Sequence, residues 1–310
     1  MTTVLITGGH SGIGLAAATE LAARKVDLIL AGRSPDRMRA VADDLRAAHG
    51  VSVTTVALDL CSLASVREAA TRVPATQLDA LLCNAGGRFE GDVTFSPDGY
   101  ETTFAANCLG HFLLVELLLP QLAENARVIY TASGTHDRDT TDGRMVGAAA
   151  EPDAEALATN ATALSAGKRY STSKLCTVMY AYELHRRLRK AGSTVSSIAY
   201  DPGSVPGTGF LRGMPRPVQL FSTTRAMNWL SRRLGVTVSD VAFSGASLAT
   251  LAADPEYADA SGKYFQAKQG KLSAVRSAKL SYDERRAAKL WDDSRRLARL
   301  TPDEEPAQLR

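Results

Sequence analysis

The stretch TVLITGGHSGIG, residues 3–14, decides the fold predicted for this chain. Its first half, Thr3-Val4-Leu5-Ile6-Thr7, is a short run of apolar and β-branched residues, as in a buried strand. Glycines follow at positions 8, 12 and 14, and residues 15–24 then read as an amphipathic helix. Such a turn lets a pyrophosphate approach the amides at the positive end of the helix. A tight connection without a ligand explains the same glycines, so both interpretations stay open.

Strand and helix patterns alternate along the rest of the chain. Further strands are predicted at 26–31, 51–58, 79–83, 126–131, 195–200 and 263–266. Helices are predicted at 35–49, from about Ser62, and at 98–122, 175–188, 220–234, 239–252 and 282–300, with a frayed tail after Thr301. The alternation predicts an α/β chain: one Rossmann-fold domain over residues 1–310, a doubly wound parallel sheet of about seven strands with helices on both faces.

Composition narrows the class of partner. The chain has 310 residues, 45% of them hydrophobic, enough for one large core. Its 36 basic and 33 acidic side chains give a net charge of +3, and no basic run suggests a nucleic-acid track. The four cysteines form no CxxC pair and the five histidines are scattered, so we expect no metal site and a reducing compartment.

The first strand begins almost at Met1, so we expect no secretion signal and a cytoplasmic location. The richest apolar run, 112–122, contains Glu116 and Pro120 and is too short to cross a bilayer. We therefore expect no integral membrane segment.

Residues at the ends of the first strands suit a dinucleotide. The second strand ends at Gly32-Arg33 instead of at a carboxylate, which favours a 2′-phosphate and hence NADPH, unless Arg33 only begins a charged helix. Asp59-Leu60 lies where a third strand would reach the adenine, although Asp59 also suits a helix cap. Asn84-Ala85-Gly86 is small enough for a backbone that passes close to a cofactor, or for a plain turn.

Tyr170 and Lys174 lie one turn apart if they share a helix. A tyrosine acts as proton donor and acceptor near neutral pH only if its pKa of about 10 falls by about 3, and an adjacent ammonium can supply much of that fall. A packed ring with a solvated amine gives the same spacing. Ser133 follows the fifth strand, where doubly wound sheets bind ligands, and Asn107 shares a helix with apolar neighbours, where it needs a partner or braces the fold.

Two irregular segments are predicted to cover this region. Residues 134–167 are long for a loop in a compact domain, which favours an active-site insertion. Residues 203–235 contain a proline- and glycine-rich stretch and a basic amphipathic segment, 216–233, which we interpret as a substrate lid or, alternatively, as a membrane-surface contact.

Together these pieces resemble the short-chain dehydrogenase/reductase family over nearly the whole chain. The match runs in order through Thr7-Gly8-xxx-Gly12-x-Gly14, Asn84-Ala85-Gly86, Asn107, Ser133, Tyr170-xxx-Lys174 and Pro202-Gly203. The chain is most similar to the protochlorophyllide oxidoreductase and retinol dehydrogenase branch, through the insertion, Ser173-Lys174-Leu175-Cys176 and Lys289-Leu290-Trp291.

The resemblance implies a role for each matched residue. Tyr170 would protonate the substrate oxygen, Lys174 would hold the nicotinamide ribose and lower the tyrosine pKa, Ser133 would hydrogen-bond the developing alkoxide, and Asn107 would position a water. The expected contacts of NADPH or NADP⁺ are Gly8, His10, Ser11, Gly12, Ile13, Gly14, Arg33, Asp59, Leu60, Asn84, Ala85, Gly86, Tyr170, Lys174, Pro202, Gly203 and Val205.

Two positions depart from the pattern. Many NADPH-using relatives carry a basic residue where this chain has Ser11, so the cofactor preference depends largely on Arg33. Thr177 stands where the branch often has Asn. Family members often pair through the helices that carry Asn107 and Tyr170, but large insertions can interfere with that pairing. The resemblance therefore leaves two alternatives open, a monomer or a homo-oligomer.

Three functional hypotheses follow. The first is an NADPH-dependent ketoreductase for a bulky, mainly apolar small-molecule substrate. The second is a reductase of a conjugated C=C bond or quinone in a flat polycyclic compound. The third is a non-catalytic NADP-binding regulator, against which the four matched residues argue, since a sensor does not need all of them.

Overall fold

One mixed sheet forms the centre of the molecule. The computed structural model describes residues 2–205 and 239–309. The strands are β1 (Thr3–Thr7), β2 (Asp27–Gly32), β3 (Val53–Ala57), β4 (Leu78–Cys83), β5 (Leu122–Thr131), β6 (Ser196–Asp201), β7 (Tyr264–Lys268) and β8 (Lys271–Val275). Their order in the sheet is β3-β2-β1-β4-β5-β6-β7-β8, parallel throughout except for the antiparallel pair of β7 and β8.

Helices cover both faces of this sheet. They are α1 (Gly12–Ala23), α2 (Pro35–His49), α3 (Leu63–Arg72), α4 (Thr102–Gln121), α5 (Thr141–Val146), α6 (Ala154–Thr159), α7 (Ala166–Lys190), α8 (Val241–Ala253) and α9 (Glu284–Leu297). Alternate residues of a strand point to opposite faces: Val4 and Ile6 join the core under α1, α2 and α8, whereas Leu5 joins the core under α3, α4, α7 and α9. The predicted doubly wound α/β fold is confirmed.

The strand order determines where along the sheet a ligand-binding crevice can open. β1 has β2 on one side and β4 on the other, so the crossovers reverse direction there. In doubly wound sheets a crevice opens at this reversal, outside the carboxyl ends of the strands. The segments that follow β1, β4, β5 and β6 therefore meet at one edge.

The sheet has one strand more than predicted. The turn at Gln269-Gly270 has positive φ at both residues, 51° and 76°, and reverses the chain so that β8 pairs with β7. β8 is the last strand in the sheet order, and its residues are half-buried or exposed. It has no apolar run, so its sequence carries little signal.

Helix α4 contains a local change of helix type. Residues Ala105–Leu109 form a π segment between α-helical turns, and Asn107 is its central residue. Sequence periodicity does not reveal such a segment, and π segments occur frequently at functional sites. By length and composition alone α4 is apolar enough to cross a bilayer, but 89% of its most apolar window is buried inside the protein.

The C-terminal region packs more tightly than predicted. Helix α9 buries Leu290 and Trp291 fully against the core, as its pattern indicates. The expected frayed tail is wrong: Leu309 is only 7% exposed, and Glu304 pairs with Arg67 at 2.7 Å. This tail is short and polar in sequence, and only the tertiary contact shows where it lies.

The predicted insertion, residues 134–167, contains a 3₁₀ turn and the short helices α5 and α6. Asp142 and Val146 of α5 reach the cavity described below, whereas Asp153, at the start of α6, lies 3.4 Å from Lys289 of α9. Most of the predicted lid, residues 206–235, and the predicted helix at 220–234 lie outside the described residues.

Candidate active site

Thr7 connects the glycine turn to the end of β4 through hydrogen bonds. Its hydroxyl oxygen accepts from the backbone N–H groups of Asn84 and Ala85, each at 2.9 Å. The Asn84 side chain returns a bond, donating from Nδ2 to the Thr7 carbonyl at 3.0 Å. The two segments predicted to hold a dinucleotide are therefore one hydrogen-bonded unit.

Two glycines of this turn are required by geometry. Gly12, the first residue of α1, has φ +53°, in the left-handed region that favours glycine. A Cβ on Gly14 would lie 2.4 Å from the Gly8 carbonyl oxygen and 2.7 Å from Asn84 Nδ2. The beginning of α1 therefore presents nearly bare backbone to the cavity.

Two guanidinium groups border the cavity beyond the end of β2. Arg33 and Arg37 are both exposed, and within the described chain neither forms an ion pair. The His10 ring lies beside them, where a Cβ on Gly32 would be 2.9 Å from His10 Cε1. Burial lowers the pKa of His10, and the charges of Arg37 and Arg33 lower it further. This end of the cavity therefore suits a phosphate.

The segment after β3 also lines the cavity, through Asp59 and Leu60. Asp59 Oδ1 accepts from the Cys61 backbone N–H at 3.0 Å. The predicted alternative, that Asp59 caps the next helix, is wrong, because Ser62 is the N-cap of α3 and accepts from the Ser65 N–H at 3.2 Å.

Asn107 braces the segment that follows β4. Its Nδ2 donates to the Gly87 carbonyl at 2.9 Å and to Ser173 Oγ at 3.0 Å, and its Oδ1 accepts from the Gly87 N–H at 3.0 Å. The side chain is 3% exposed and does not line the cavity. Both amide hydrogens are engaged by protein, which fits the bracing role, and the water-positioning role stays a prediction.

Tyr170, Ser133 and Lys174 converge on the other end of the cavity. Tyr170 and Lys174 lie on α7, and Ser133 follows β5. The Tyr170 hydroxyl forms a hydrogen bond with the Ser133 side chain. Lys174 Nζ lies 5.7 Å from the centre of the Tyr170 ring and donates to the Thr131 carbonyl at 2.8 Å. The structure thus brings together the proton donor, the hydroxyl and the amine expected from the sequence.

The expected lowering of the tyrosine pKa is not what the site produces. Burial raises the pKa of Tyr170 to about 12, and the hydrogen bond from Ser133 only partly offsets this. Burial also lowers the pKa of Lys174 to about 8. The physical reason is that a phenol and an amine both lose hydration in this buried site, and each loss favours the neutral form. At neutral pH Tyr170 is a protonated phenol and so a proton donor.

A hydrogen-bonded histidine fixes the backbone behind Ser133. The Ala278 N–H donates to His136 Nε2 at 3.0 Å, so Nδ1 carries the proton and donates to the Ser133 carbonyl at 2.7 Å. Burial lowers the pKa of His136, consistent with a neutral ring. The position of Ser133 is therefore set by the fold and not by loop flexibility.

These groups surround one cavity of about 590 Å³. With the exception of Asn107, every residue predicted for the site lines it: Gly8, His10, Ser11, Gly12, Ile13, Gly14, Arg33, Asp59, Leu60, Asn84, Ala85, Gly86, Ser133, Tyr170, Lys174, Pro202, Gly203 and Val205. Residues that sequence reasoning did not assign to the site also line it, among them Arg37, Arg88, Phe89, Thr135, Asp142, Val146 and Asp201.

Some of these additional residues carried a signal in the sequence. Arg37 stands four residues after Arg33 in the same charged stretch, and Asp201 directly precedes the matched Pro202-Gly203. Arg88 follows β4 without a pattern that marks it, and Asp142 and Val146 lie in the predicted insertion; only the tertiary structure brings them to the cavity.

The shape and charge of the cavity fit a nicotinamide dinucleotide. At Gly12 nothing lies within 4 Å of a Cβ position, which leaves room for a pyrophosphate, and a Cβ on Gly86 would lie 2.7 Å from Asn107 Oδ1, so the segment after β4 is tightly fitted. Arg33 and Arg37 lie where the ribose next to the adenine would bind, and Lys174 and Tyr170 lie where the reactive end would bind. The arginines and the phenol lie at opposite ends of the cavity, so they would set the orientation in which a dinucleotide binds.

Comparison with known proteins agrees with this architecture. The family model described as short chain dehydrogenase matches residues 2–148. A crystal structure of an uncharacterized protein from Mycobacterium paratuberculosis has 29% identity and a TM-score of 0.71, with 96% of this chain and 94% of that one covered.

Three curated relatives are similar over most of the chain. Human retinol dehydrogenase 13 is 33% identical over 88% of this chain and 78% of its own length. A protein of Streptomyces sp. (strain C5), provisionally named daunorubicin C-13 ketoreductase DnrU, is 36% identical over 66% of each chain. Protochlorophyllide reductase A of rice is 34% identical over 67% of this chain and 59% of its own.

Proposed function

The chain belongs to the short chain dehydrogenase family, and from that premise we propose that it is an NADPH-dependent ketoreductase acting on a bulky, mainly apolar substrate. The observation that carries the proposal is the convergence of Tyr170, Ser133 and Lys174 at one end of a cavity whose other end holds Arg33 and Arg37. The first set suits reduction of a carbonyl, and the second suits a 2′-phosphate.

The side chains divide the reaction between them. Bound NADPH supplies the hydride. Tyr170 gives its hydroxyl proton to the substrate oxygen as the carbonyl π bond is lost, and the phenolate is then reprotonated from solvent. The Ser133 hydroxyl donates a hydrogen bond to the developing alkoxide. Lys174, held by the Thr131 carbonyl, places positive charge beside the phenolate that forms.

Apolar walls favour a large substrate. Phe89 and Val146 line the same cavity as Tyr170. The Val146 carbonyl packs against Gly167 so closely that a Cβ there would lie 1.8 Å from its oxygen, which fixes α5 against the first turn of α7. The Streptomyces relative, which is provisionally named a daunorubicin C-13 ketoreductase, supports reduction of a ketone.

Turnover of the purified chain tests the proposal. Aryl ketones and polycyclic ketones are offered with NADPH and with NADH, and the alcohol product is identified. We expect reduction with a preference for NADPH, and loss of about 10²- to 10⁴-fold in kcat for Tyr170→Phe. A Tyr170→Phe variant with full ketone turnover would contradict the assigned acid.

A second candidate is reduction of a conjugated C=C bond or quinone, favoured by the similarity to protochlorophyllide reductase A. Tyr170 supplies a proton in this reaction too, so the site residues do not separate the two. Product analysis does: quinols or saturated ketones indicate the second reaction, and secondary alcohols the first. Binding of NADPH without any turnover would instead favour the non-catalytic regulator.

A further inference from the structure

Arg88 places a guanidinium group in the wall of the proposed active site. Its side chain is 16% exposed and lines the cavity together with Tyr170 and Ser133. None of the steps assigned above to Tyr170, Ser133 and Lys174 uses it. A largely buried charge is costly to maintain, and in the wall of a cavity such a charge points to a bound ligand.

The backbone on both sides of Arg88 is held in place. Before it, the Asn107 side chain donates to the Gly87 carbonyl at 2.9 Å and accepts from the Gly87 N–H at 3.0 Å. After it, the Phe89 carbonyl accepts from Arg169 Nη2 at 3.4 Å. The segment that carries Arg88 is therefore positioned by α4 and α7, which limits where the guanidinium can lie.

The group that holds Phe89 is itself fixed by a buried ion pair. Arg169 Nε lies 3.1 Å from Glu101 Oε1, and the two side chains are only 5% and 4% exposed. Arg169 Nη1 also donates to the Leu164 carbonyl at 2.8 Å. Loss of one partner of such a pair leaves an uncompensated buried charge, so both side chains stay in place.

The same segment runs beside α7 at the level of the phenol. A Cβ on Gly86 would lie 3.9 Å from Lys174 Nζ. A Cβ on Gly167 would lie 3.7 Å from Arg88 Nη2, and Gly167 precedes Tyr170 by about one helical turn, roughly 5 Å along the axis. Side chains on a helix point back toward its N-terminus, so the Tyr170 ring extends toward the turn that Arg88 approaches.

The charges around this part of the cavity disfavour an anionic substrate. Glu90, which does not line the cavity, lies 2.6 Å from Arg88 Nε and balances its charge. The carboxylates of Asp142 and Asp201 line the cavity as well. A carboxylate on the substrate would meet these negative groups, whereas an uncharged oxygen acceptor would not.

We propose that Arg88 is a specificity-determining residue, which donates a hydrogen bond to a second carbonyl oxygen of the substrate that is not reduced. The inference rests on the proposed function and names its substrate class: a ketone whose apolar body carries a second, uncharged carbonyl group roughly 5 Å from the first. A guanidinium has five N–H donors in one plane, so it can pair with Glu90 and still donate to a substrate oxygen.

Two ketones of matched length test the proposal. Methyl β-benzoylpropionate carries the second carbonyl as an ester, and pentyl phenyl ketone has the same chain length without it. With NADPH we expect wild-type kcat/KM to be about 10- to 100-fold higher for the keto ester, as for a hydrogen bond from a charged donor. In Arg88→Met the two values should agree within about threefold. An unchanged preference in Arg88→Met overturns the proposal.

A control variant and a charged substrate sharpen the test. Arg285→Met removes an exposed arginine at the start of α9 and should leave the preference for the keto ester unchanged. An equal loss of preference in Arg285→Met would show that the effect is not local to the cavity, and the proposal would fail. The free acid, β-benzoylpropionate, should be a poorer substrate than its ester. A wild type that favours the free acid overturns the assignment of an uncharged acceptor.

Binding measurements keep this inference separate from the proposed function. With NADP⁺ in place of NADPH no hydride is available, so calorimetric titration gives the Kd of each ketone. We expect the ratio of the two Kd values to favour the keto ester by about 10-fold or more in the wild type and to approach one in Arg88→Met. If no ketone is reduced, the proposed function fails, and this ratio still decides the role of Arg88. Equal Kd values in the wild type overturn the proposal even if Arg88→Met does not fold.

Discussion

Lys174 shows at the scale of one residue how function and stability compete. Its amine is 5% exposed and has the Thr131 carbonyl as its hydrogen-bond acceptor, and burial lowers its pKa from 10.5 to about 8. Holding it charged at neutral pH costs roughly 3 kcal/mol, since each pKa unit corresponds to about 1.4 kcal/mol. A group kept at such a cost points to function, because a neutral side chain of the same size would pack better.

Replacing this amine is therefore expected to stabilise the protein and abolish its activity. Lys174→Met should raise the free energy of unfolding by about 1 to 3 kcal/mol at pH 7, because the desolvated charge is removed. Between pH 8 and 10.5 the unfolded wild-type chain binds more protons than the folded one, so wild-type stability rises with pH and the difference shrinks. Urea unfolding of the wild type and the variant at pH 7 and pH 10 measures this difference in the free energy of unfolding. A less stable variant at pH 7 contradicts the assignment.

At the same scale, Arg33 and Arg37 are proposed to decide the choice of cofactor. Charge-assisted bonds to a phosphate contribute about 1.5 to 3 kcal/mol each, so Arg33→Asp should weaken NADPH binding by about 10- to 100-fold and leave NADH nearly unchanged. Calorimetric titration with both cofactors measures the ratio. Arg285→Asp makes the same charge change on the exposed start of α9 and is the control. An unchanged ratio means that the 2′-phosphate is bound elsewhere.

At the scale of elements, α9 completes the packing around α7. Trp291 is fully buried, with its ring 4.9 Å from Phe112 of α4 and 6.1 Å from Tyr180 of α7. A second contact is ionic: Glu116 of α4 is fully buried and pairs with Arg295 of α9 at 3.1 Å. The helix that carries Tyr170 and Lys174 is thus held from behind by a helix that contributes nothing to the cavity.

Removing the Trp291 ring should weaken the packing of α9 against α4 and α7. We expect Trp291→Ala to lower the free energy of unfolding by about 3 to 5 kcal/mol, because it leaves a cavity among aromatic rings. Arg285→Ala, on the exposed side of the same helix, should change it by less than about 0.5 kcal/mol. Thermal and urea unfolding measure both. A small effect of Trp291→Ala would show that α9 is dispensable for stability.

At the scale of the whole molecule, long-range contacts hold the C-terminal residues against the Rossmann core. Arg67 of α3 pairs with Glu304 and also donates to the carbonyls of Ala298 and Arg299. Leu309 lies 7% exposed against the same core. The last residues therefore contribute to the stability of the domain.

Deleting residues 301–310 should destabilise the domain without removing the cavity. We expect a loss of about 2 to 4 kcal/mol, from burial of one leucine and a half-exposed ion pair. Leu309→Ala should reproduce the larger part of this loss of stability, and Glu304→Gln should reproduce the smaller part. Unfolding curves measure the stability of the truncated chain, and NADPH binding measures whether its cavity is intact. A truncated chain of full stability would mean that the tail is not held in solution.

The sequence by itself determined the elements whose signals are local. The apolar runs of the parallel strands, the glycines at 8, 12 and 14, and the spacing of Tyr170 and Lys174 depend on neighbouring residues, so the fold class and nearly all cavity-lining candidates were predictable. Arg33 was predictable for the same reason, because it directly follows a strand end.

Only the tertiary structure decided how those groups behave. The π segment around Asn107, the edge strand β8 and the packing of the tail arise from contacts far apart in the chain, which no local pattern encodes. The protonation of Tyr170 is the clearest case: spacing on a helix suggests a lowered pKa, but burial raises it. Solvation depends on the whole fold, and a motif does not contain it.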